Sequence, residues 1–298
     1  MYQSLQRWRK YTQTFFFILF LIAPVFNIFR FDLNEQQFWF FGMRWSLGLE
    51  AFQHGKISVL EASTNVLFKG IIPVVSFIVL FLGIAFRYGR LYCGWLCPHF
   101  SSVELLNTLL HRACGKLSFW EKLPVHRQGV TPNRQWWPVF GLSCLIMGFV
   151  WAITLLTYLQ PPLEIWFRLF SGTLSLKQTL FLIIGTRVLT IEFIVGRHLF
   201  CRYACSVGLF QSLAWMANPR AMEVTFHREQ AKDCKTCRSE CSPHAPGNAC
   251  DDICPMRLQP RTLKRKMFSC VQCGLCLSAC ETTQSAQNKS SSLSWKNT

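Results

Sequence analysis

Fifteen cysteines occur among the 298 residues, and most of them lie in short, closely spaced runs. The most regular run has four cysteines in the order Cys-x2-Cys-x2-Cys-x3-Cys: Cys270, Cys273, Cys276 and Cys280. This is the spacing of bacterial ferredoxins, in which three thiolates hold one 4Fe–4S cluster and the fourth ligates the neighbouring cluster. A zinc site needs only four ligands, usually as two separated pairs. The run therefore indicates iron–sulfur chemistry.

A second, less regular cysteine run precedes the first. It begins with Cys234-x2-Cys237, ends with Cys250-x3-Cys254 before a proline, and carries an insert that contains Cys241. The Cys-Pro ending is typical of a ferredoxin motif, so we expect two 4Fe–4S clusters that transfer single electrons. The predicted ligands are Cys234, Cys237, Cys250 and Cys280 for cluster 1 and Cys254, Cys270, Cys273 and Cys276 for cluster 2. Cys241 either replaces Cys250 as a ligand or is a spare thiol.

A third group of cysteines belongs to an internal repeat. Residues 89–98 read GRLYCGWLCP and residues 196–206 read GRHLFCRYACS, and each segment follows a long apolar stretch. In a helix, Cys-x3-Cys places both sulfurs on one face, so pseudo-twofold packing would bring four thiols to one point. We predict a redox centre there that binds a metal or a small cluster, or cycles between dithiol and disulfide. Its members are Cys93, Cys97, Cys201 and Cys205, which we call the interfacial quartet.

Four apolar stretches are long enough to cross a bilayer as helices, which takes about 20 residues. They cover residues 12–29, 66–86, 136–159 and 176–195, in a chain that is 51% hydrophobic with a net charge of +16. Lys and Arg cluster before the first stretch, between the second and third, and after the fourth. The positive-inside rule then places both termini and the cysteine-rich domain in the cytoplasm. The charge is a topology signal, so we expect no nucleic-acid partner, and no cleavable signal peptide is apparent.

The ionisable residues within these stretches bear on cofactors. The predicted spans contain no histidine at mid-membrane depth, so we expect no haem. Arg187 and Glu192 lie within the fourth stretch, and an intramembrane charge suggests a functional site. Arg187 is therefore a candidate quinone-site residue. The alternative is that Glu192 lies at the cytoplasmic interface and Arg187 pairs with a backbone carbonyl.

The fold class follows from these patterns. We predict an α-helical membrane protein, a four-transmembrane-helix bundle with an internal two-helix repeat, plus a small α+β bacterial-type ferredoxin domain with two 4Fe–4S clusters. Residues 1–217 would form the membrane domain, residues 218–284 the ferredoxin-like domain, and residues 285–298 a disordered polar tail.

These motifs, in this order, resemble the membrane polyferredoxin family of NapH, NosR and CcoG. The span count and motif order are similar to NapH, and the strings FCRYACSVGLFQS and CVQCGLCLSACETT are similar to CcoG. Two departures are Ser206, where the family has proline, and the insert in the first ferredoxin motif.

The resemblance implies a bacterial inner-membrane oxidoreductase component rather than a stand-alone enzyme. A NapH-like protein would pass electrons between the quinol pool and a redox partner, such as another iron–sulfur or cytochrome subunit. A CcoG-like protein would bind copper at the quartet and reduce it during oxidase assembly. A third alternative is a non-redox assembly scaffold.

Overall fold

The computed structural model describes residues 2–35, 37–116, 118–120, 132–235, 237 and 248–296, and these are mostly helical. The α-helices of this part of the chain are α1 (Tyr2–Ile22), α2 (Leu49–Gln53), α3 (Val59–Val66), α4 (Ile72–Tyr88), α5 (Leu91–Trp95), α6 (Pro98–Cys114), α7 (Trp136–Leu159), α8 (Pro162–Ser171), α9 (Leu176–Ile191), α10 (Ser206–Ala217), α11 (Ala249–Asp252) and α12 (Leu275–Ser285). Its strands are β1 (Phe29–Asp32), β2 (Gln37–Phe40), β3 (Met43–Trp45), β4 (Glu223–Phe226) and β5 (Leu293–Lys296).

Short segments of other helix types link these elements. Three are π-helical, which accommodates an extra residue within a helical turn, and three are 3₁₀-helical. The π segments are Leu67–Ile71, Glu192–Gly196 and Phe200–Ala204, and the 3₁₀ segments are Arg228–Gln230, Asp233–Lys235 and Lys264–Met267.

Three continuous helical segments of the described residues are long and apolar enough to cross a membrane. They are Val59–Tyr88 with 30 residues, Trp136–Leu159 with 24 and Leu176–Gly196 with 21. A bilayer core takes about 20 helical residues. The three segments coincide with the second, third and fourth predicted spans. The chain is therefore a membrane protein.

The first predicted span, residues 12–29, differs from the structure. Helix α1 covers Tyr2–Ile22, turns follow it, and Phe29 already belongs to β1. Proline has no backbone N–H and disfavours helical backbone in the residue before it, so α1 ends just before Pro24. The first half of α1 also carries basic residues, and this helix is not among the three apolar segments.

The chain divides into two compact units, and this division differs from the predicted domains. Unit 1 comprises residues 1–17, 84–147 and 190–298, and unit 2 comprises residues 18–83 and 148–189. Both Cys-x3-Cys segments therefore share unit 1 with the predicted ferredoxin-like domain.

Unit 2 contains a three-stranded antiparallel sheet in the order β1-β2-β3. Register pairs such as Phe29 with Phe40 and Phe38 with Trp45 give it aromatic cross-strand contacts, which stabilise antiparallel sheets. The buried side chains of this unit come mainly from α7, α8 and α9: Ala152, Ile153, Leu156, Ile165 and Leu182.

Unit 1 contains a two-stranded antiparallel sheet that corrects one prediction. Strand β5 pairs with β4, with Glu223 opposite Lys296 and Phe226 opposite Leu293. Leu293 is 1% exposed. The end of the chain, predicted to be a disordered polar tail from residue 285, therefore contributes a strand and a core side chain. Its Ser- and Asn-rich composition obscured the short apolar alternation of Leu293 and Trp295.

Candidate functional site

The four cysteines predicted to hold cluster 2 lie together in unit 1. Cys254, Cys270, Cys273 and Cys276 are buried and line one small cavity of about 20 Å³. Gly274 makes this loop possible, since its φ of +71° is in the left-handed region that favours glycine. The turn at Gly274 starts α12, which carries Cys276 inward on its first turn.

The four cysteines predicted to hold cluster 1 are also neighbours. A charge on Cys237 or Cys280 would raise the pKa of both Cys234 and Cys250, so the four sulfurs share one region. Cys250 is similarly close to Cys276, which places the two cysteine sets side by side. Cys241, the alternative ligand, lies outside the described residues.

Burial raises the pKa of several of these thiols, which bears on whether clusters fit. Burial raises the pKa of Cys254 to about 11 and that of Cys270 to about 12, and it raises the pKa of Cys250 further. A buried thiolate is costly unless a cation offsets its charge, and iron ions supply that charge. Two neighbouring sets of four cysteines, of which all but Cys234 are buried, are a donor set that fits 4Fe–4S clusters.

The four cysteines of the interfacial quartet are brought together, although not on helix faces as predicted. Charges on Cys97, Cys93 and Cys205 would each raise the pKa of Cys201. Cys93 lies in α5, but Cys97 has extended backbone before α6, with φ −65° and ψ 117°. Pro98 explains this, because the residue before a proline avoids helical backbone. Cys205 is likewise extended before α10.

Two polar side chains contact the quartet directly, and the sequence patterns did not identify them. Gln211 of α10 lies with Oε1 3.1 Å from the Sγ of Cys93. Arg90 places Nη2 3.9 Å from the same sulfur and donates to the carbonyl of Cys201 at 2.8 Å. Arg90 is 2% exposed, so it supplies a buried positive charge beside two thiols.

A histidine–glutamate pair adjoins the quartet on another side. His99 Nδ1 lies 3.5 Å from the Sγ of Cys201, and His99 Nε2 lies 3.1 Å from Glu192 Oε2. Glu192, which the sequence analysis placed either within the fourth span or at the cytoplasmic interface, therefore has His99 as a specific partner. His99 follows the Cys-Pro dipeptide of the first repeat, which is the sequence signal that could have identified it.

Burial also raises the pKa of quartet thiols. It raises the pKa of Cys97 to about 11, and it raises the pKa of Cys93 while Arg90 opposes the rise. Cys93, Cys97 and Cys201, whose pKa values are all raised, are therefore mostly protonated at neutral pH unless a metal or cluster binds them. Among the residues that the structure describes, no three His, Cys, Asp or Glu side chains are arranged around a single-ion position; this holds for the eight ferredoxin-type cysteines as well.

The quartet and the cluster 2 cysteines belong to one buried core. This core contains Cys93 and Cys201 together with Cys254, Cys270 and Cys273. Two hydrogen bonds join the first repeat and α1 to the loop that carries Cys270 and Cys273. Trp95 Nε1 donates to the Gln272 carbonyl at 3.0 Å, and Gln6 Nε2 donates to the Cys273 carbonyl at 3.0 Å.

Gly94 is the point of closest approach in this core. A Cβ at this position would lie 2.2 Å from the carbonyl oxygen of Val271, so only glycine fits. The Gly94 carbonyl in turn accepts from Arg9 Nε at 2.9 Å and from Gln13 Nε2 at 3.1 Å. Helix α1, the first repeat and the cysteine-rich loop are thus packed against each other within unit 1.

Arg187, the candidate quinone-site residue, is exposed on α9 in unit 2. It lines neither of the two cavities of unit 1 described below. Its predicted role stays a prediction.

Comparison with known proteins gives this arrangement a family. The sequence model of the 4Fe-4S binding domain family matches residues 70–116 and 178–220. Each matched segment contains one Cys-x3-Cys pair and the helix that leads into it. No solved structure is significantly similar to the chain.

Several curated proteins are similar over much of the chain. Protein RdxA of Cereibacter sphaeroides is 25% identical over 65% of this chain and 41% of its own length. The putative electron transport protein YccM of Escherichia coli is 25% identical over 68% of this chain and 52% of its own. An uncharacterized protein of Methanocaldococcus jannaschii, MJ0750, is 24% identical over 93% of both chains.

The matched region thus spans about half the length of two of these relatives and nearly all of the third. The matched family, the cysteine sets and the apolar helices agree with one another. The comparisons therefore support a membrane-associated, polyferredoxin-like family for this iron–sulfur protein.

Proposed function

We propose that this membrane-bound iron–sulfur protein passes electrons between the quinol pool and a redox partner protein. The observation that carries the proposal is the single core that holds Cys93 and Cys201 of the quartet together with Cys254, Cys270 and Cys273. Groups packed in one core are close enough for electrons to pass without a diffusing carrier. The cluster 1 cysteines lie beside those of cluster 2 and would extend the route by one further cluster.

The proposal includes two 4Fe–4S clusters with the predicted ligands. Cluster 2 would be held by the four cysteines that line one cavity, and cluster 1 by the neighbouring four. A bound cluster accepts or donates one electron at a time. Two clusters therefore match a two-electron donor such as a hydroquinone, which gives up its electrons singly.

The proposed topology has four spans, with α1 as the first and both termini in the cytoplasm of a bacterial cell. The distribution of Lys and Arg supports this orientation. An internal two-helix repeat is supported by the family match, because one sequence model fits both residues 70–116 and residues 178–220. The ferredoxin-like region would then lie on the cytoplasmic side of the inner membrane.

A cleft of about 520 Å³ in unit 1 offers a place for the quinol head group. Its lining includes polar side chains such as Gln13 and Glu104 and apolar side chains such as Phe17, Leu105 and Met147. Met147 belongs to the membrane helix α7, so an apolar ligand could enter from the lipid. Sites for small ligands combine such apolar walls with a few polar groups.

Glu104 is the group in this cleft that we assign to the quinol hydroxyl. Arg9 and Gln13 hold its carboxylate in place, with Gln13 Nε2 3.2 Å from Oε2. A fixed carboxylate accepts a hydrogen bond from a hydroxyl donor. Glu104 is also close enough to affect the pKa of Cys273, so the head group would lie near cluster 2.

The test is reduction of the clusters by a quinol analogue, followed by EPR on anaerobically purified protein. Metal analysis should give about eight irons per chain if two clusters are bound. Glu104→Gln should slow reduction by the quinol at least about tenfold and leave reduction by dithionite unchanged. Glu229→Gln, an exposed glutamate of the same unit, is the control. Clusters that dithionite reduces but no quinol reduces would rule the proposal out.

A second function is favoured by one specific observation, the gathering of four thiols beside His99. Thiolate and imidazole ligands suit copper, and His99 Nδ1 is 3.5 Å from the Sγ of Cys201. In this case the clusters would reduce copper held at the quartet. Copper binding by the purified protein that is lost in Cys93→Ser would support it. Quinol-driven reduction that is indifferent to copper chelators would favour the first function.

A further inference from the structure

A pocket of about 130 Å³ in unit 1 plays no part in the proposed electron transfer. Three arginines and one histidine line it: Arg197, Arg202, Arg257 and His198. The described residues that line it include no aspartate or glutamate. Three guanidinium groups around so small a volume bring many N–H donors and positive charge to one place, which is the chemistry that recognises an anion.

Two loops supply the basic side chains of this pocket, and a third segment adds Ser118 and Trp120. Arg197 and His198 precede Cys201 of the second repeat, and Arg257 follows Cys254 of the predicted cluster 2 set. A ligand bound here would therefore contact the repeat and the ferredoxin-like region at once.

Backbone strain is concentrated at the same two loops. Arg197 has a φ of +44° and Arg257 a φ of +55°, in the left-handed region that side chains other than glycine rarely adopt. Six non-glycine residues of the described chain have such backbone, and two of them line this one pocket. Strain of this kind persists where the surrounding structure needs the side chain in a particular place.

The arginine side chains are positioned by their neighbours. Arg197 donates through Nη1 to Asn107 Oδ1 at 3.2 Å, and its guanidinium lies 5.0 Å from the ring centre of Phe119. Arg202 donates through Nη1 to the Met256 carbonyl at 3.3 Å. A guanidinium held in this way loses little freedom on binding, and its planar set of donors matches the oxygens of a phosphate.

The pocket lies where a membrane helix ends. Gly196 lines it and is the last residue of the apolar segment Leu176–Gly196. Trp120, another lining residue, is 67% exposed and donates from Nε1 to the Val195 carbonyl at 3.3 Å. Tryptophan at the end of a membrane helix is typical of the headgroup level of a bilayer.

We propose that this pocket binds a phosphate-bearing anion, which holds the second repeat and the ferredoxin-like region together. The group has two possible sources with the same chemistry. One is the phosphodiester of an anionic phospholipid, which the pocket's place at a helix end favours, and the other is a soluble phosphate. The proposal does not depend on which electron donor or acceptor the protein uses.

The test measures the thermal stability of the detergent-purified holoprotein against three additives. These are short-chain phosphatidylglycerol, short-chain phosphatidylcholine and inorganic phosphate, each at constant ionic strength. A ligand that binds the native state raises the melting temperature, and the rise grows with the logarithm of ligand concentration above the dissociation constant. We expect phosphatidylglycerol to raise it, phosphatidylcholine to leave it unchanged, and the gain to weaken as salt increases.

The double variant Arg202→Gln with Arg257→Gln should lower the apparent affinity at least about tenfold. The matched control is Arg228→Gln with Arg265→Gln, which removes the same charge at two exposed positions. Cluster EPR signals identical to those of the wild type would show that both variants fold. A response to inorganic phosphate alone would assign the soluble source. Equal responses to both lipids, no response to any additive, or an undiminished response in the pocket variant would overturn the proposal.

Discussion

The two Cys-x3-Cys segments share a sequence pattern but not a structure. In the first, residues 89–98, a short α-helix carries Cys93, and Arg90 turns inward to the quartet. In the second, residues 196–206, a π-helix carries Cys201, and Arg197 turns toward Asn107 and the basic pocket instead. The different distance in sequence between the arginine and the first cysteine explains why the two arginines point to different places. The arginine is three residues before the first cysteine in one segment and four before it in the other.

One extra residue therefore changes what a repeated motif does. The π-helical turn Phe200–Ala204 accommodates an inserted residue. Arg197, with its left-handed backbone, lies just before this turn. The exposed surfaces differ accordingly. Trp95 of the first segment donates to Gln272, whereas Tyr203 at the matching position of the second is 72% exposed. Both segments contact the ferredoxin-like region, the first through Trp95 and the second through Arg202, which donates to the Met256 carbonyl.

Gly94→Ala should have the largest effect, because it disturbs the packing of the first segment against the ferredoxin-like region. The new Cβ would lie 2.2 Å from the Val271 carbonyl oxygen, and such overpacking costs about 1–3 kcal/mol. We expect looser packing of the ferredoxin-like region, with faster limited proteolysis and at least about tenfold slower reduction of the clusters by quinol. Gly141→Ala is the control, because a Cβ there meets nothing within 4 Å. If both variants behave alike, the first repeat does not hold the ferredoxin-like region.

Arg90→Gln should have the next largest effect. It removes a buried charge beside Cys93 and leaves the Cys201 carbonyl without its 2.8 Å donor, which costs about 1–3 kcal/mol. The free energy of unfolding from chemical denaturation should fall by that amount. Arg87→Gln, an exposed arginine three residues earlier, should change it by less than about 0.5 kcal/mol. Similar changes in the free energy of unfolding in both variants would mean that Arg90 contributes no more to stability than an exposed arginine.

Part of this arrangement could be predicted from the sequence alone. The closeness of Cys270, Cys273 and Cys276 was predictable, because the spacing and the turn at Gly274 are local. Three apolar helices were predictable from composition. The gathering of the quartet followed from the repeat, although the reason given, one helix face per pair, was wrong because Pro98 excludes helical backbone at Cys97.

The rest depends on contacts between distant parts of the chain. Gln211 lies more than 100 residues from Cys93, and no local pattern connects them. Strand β5 is four residues long in a polar segment, and its pairing with β4 joins parts of the chain about 70 residues apart. The approach of Gly94 to Val271 depends on how two segments pack, which spacing does not encode.

A smaller, pH-dependent effect should appear at Cys97. Burial raises its pKa to about 11, so at pH 8 nearly all of this thiol is protonated and alkylates slowly. In protein without a metal at the quartet, the rate should rise about tenfold per pH unit and level off near pH 11. The same shift makes the folded state bind more protons than the unfolded state above the ordinary thiol pKa. Its stabilising contribution is therefore complete below about pH 9 and is lost between about pH 9 and 11.

The measurement is iodoacetamide labelling followed by peptide mass spectrometry, with the urea-unfolded protein as reference. In the unfolded chain the rate at Cys97 should level off near pH 9 instead. A folded-state profile that matches the unfolded one would mean that the thiol is more accessible to water than its burial indicates.

The smallest effect should come from Ser206→Pro, which restores to the second segment the proline found in the first. Cys205 already has extended backbone, with φ −72° and ψ 107°, and Ser206 is the first residue of α10. Proline is favoured at that helix position, where its missing N–H costs no intrahelical hydrogen bond. Because proline restricts the unfolded chain, stability should rise by about 0.4–1 kcal/mol. Thermal unfolding measures this, and Pro98→Ser should lower stability by a similar amount. Destabilisation by Ser206→Pro would instead mean that the π-helical backbone before α10 depends on the serine, and that the two segments differ by more than one inserted residue.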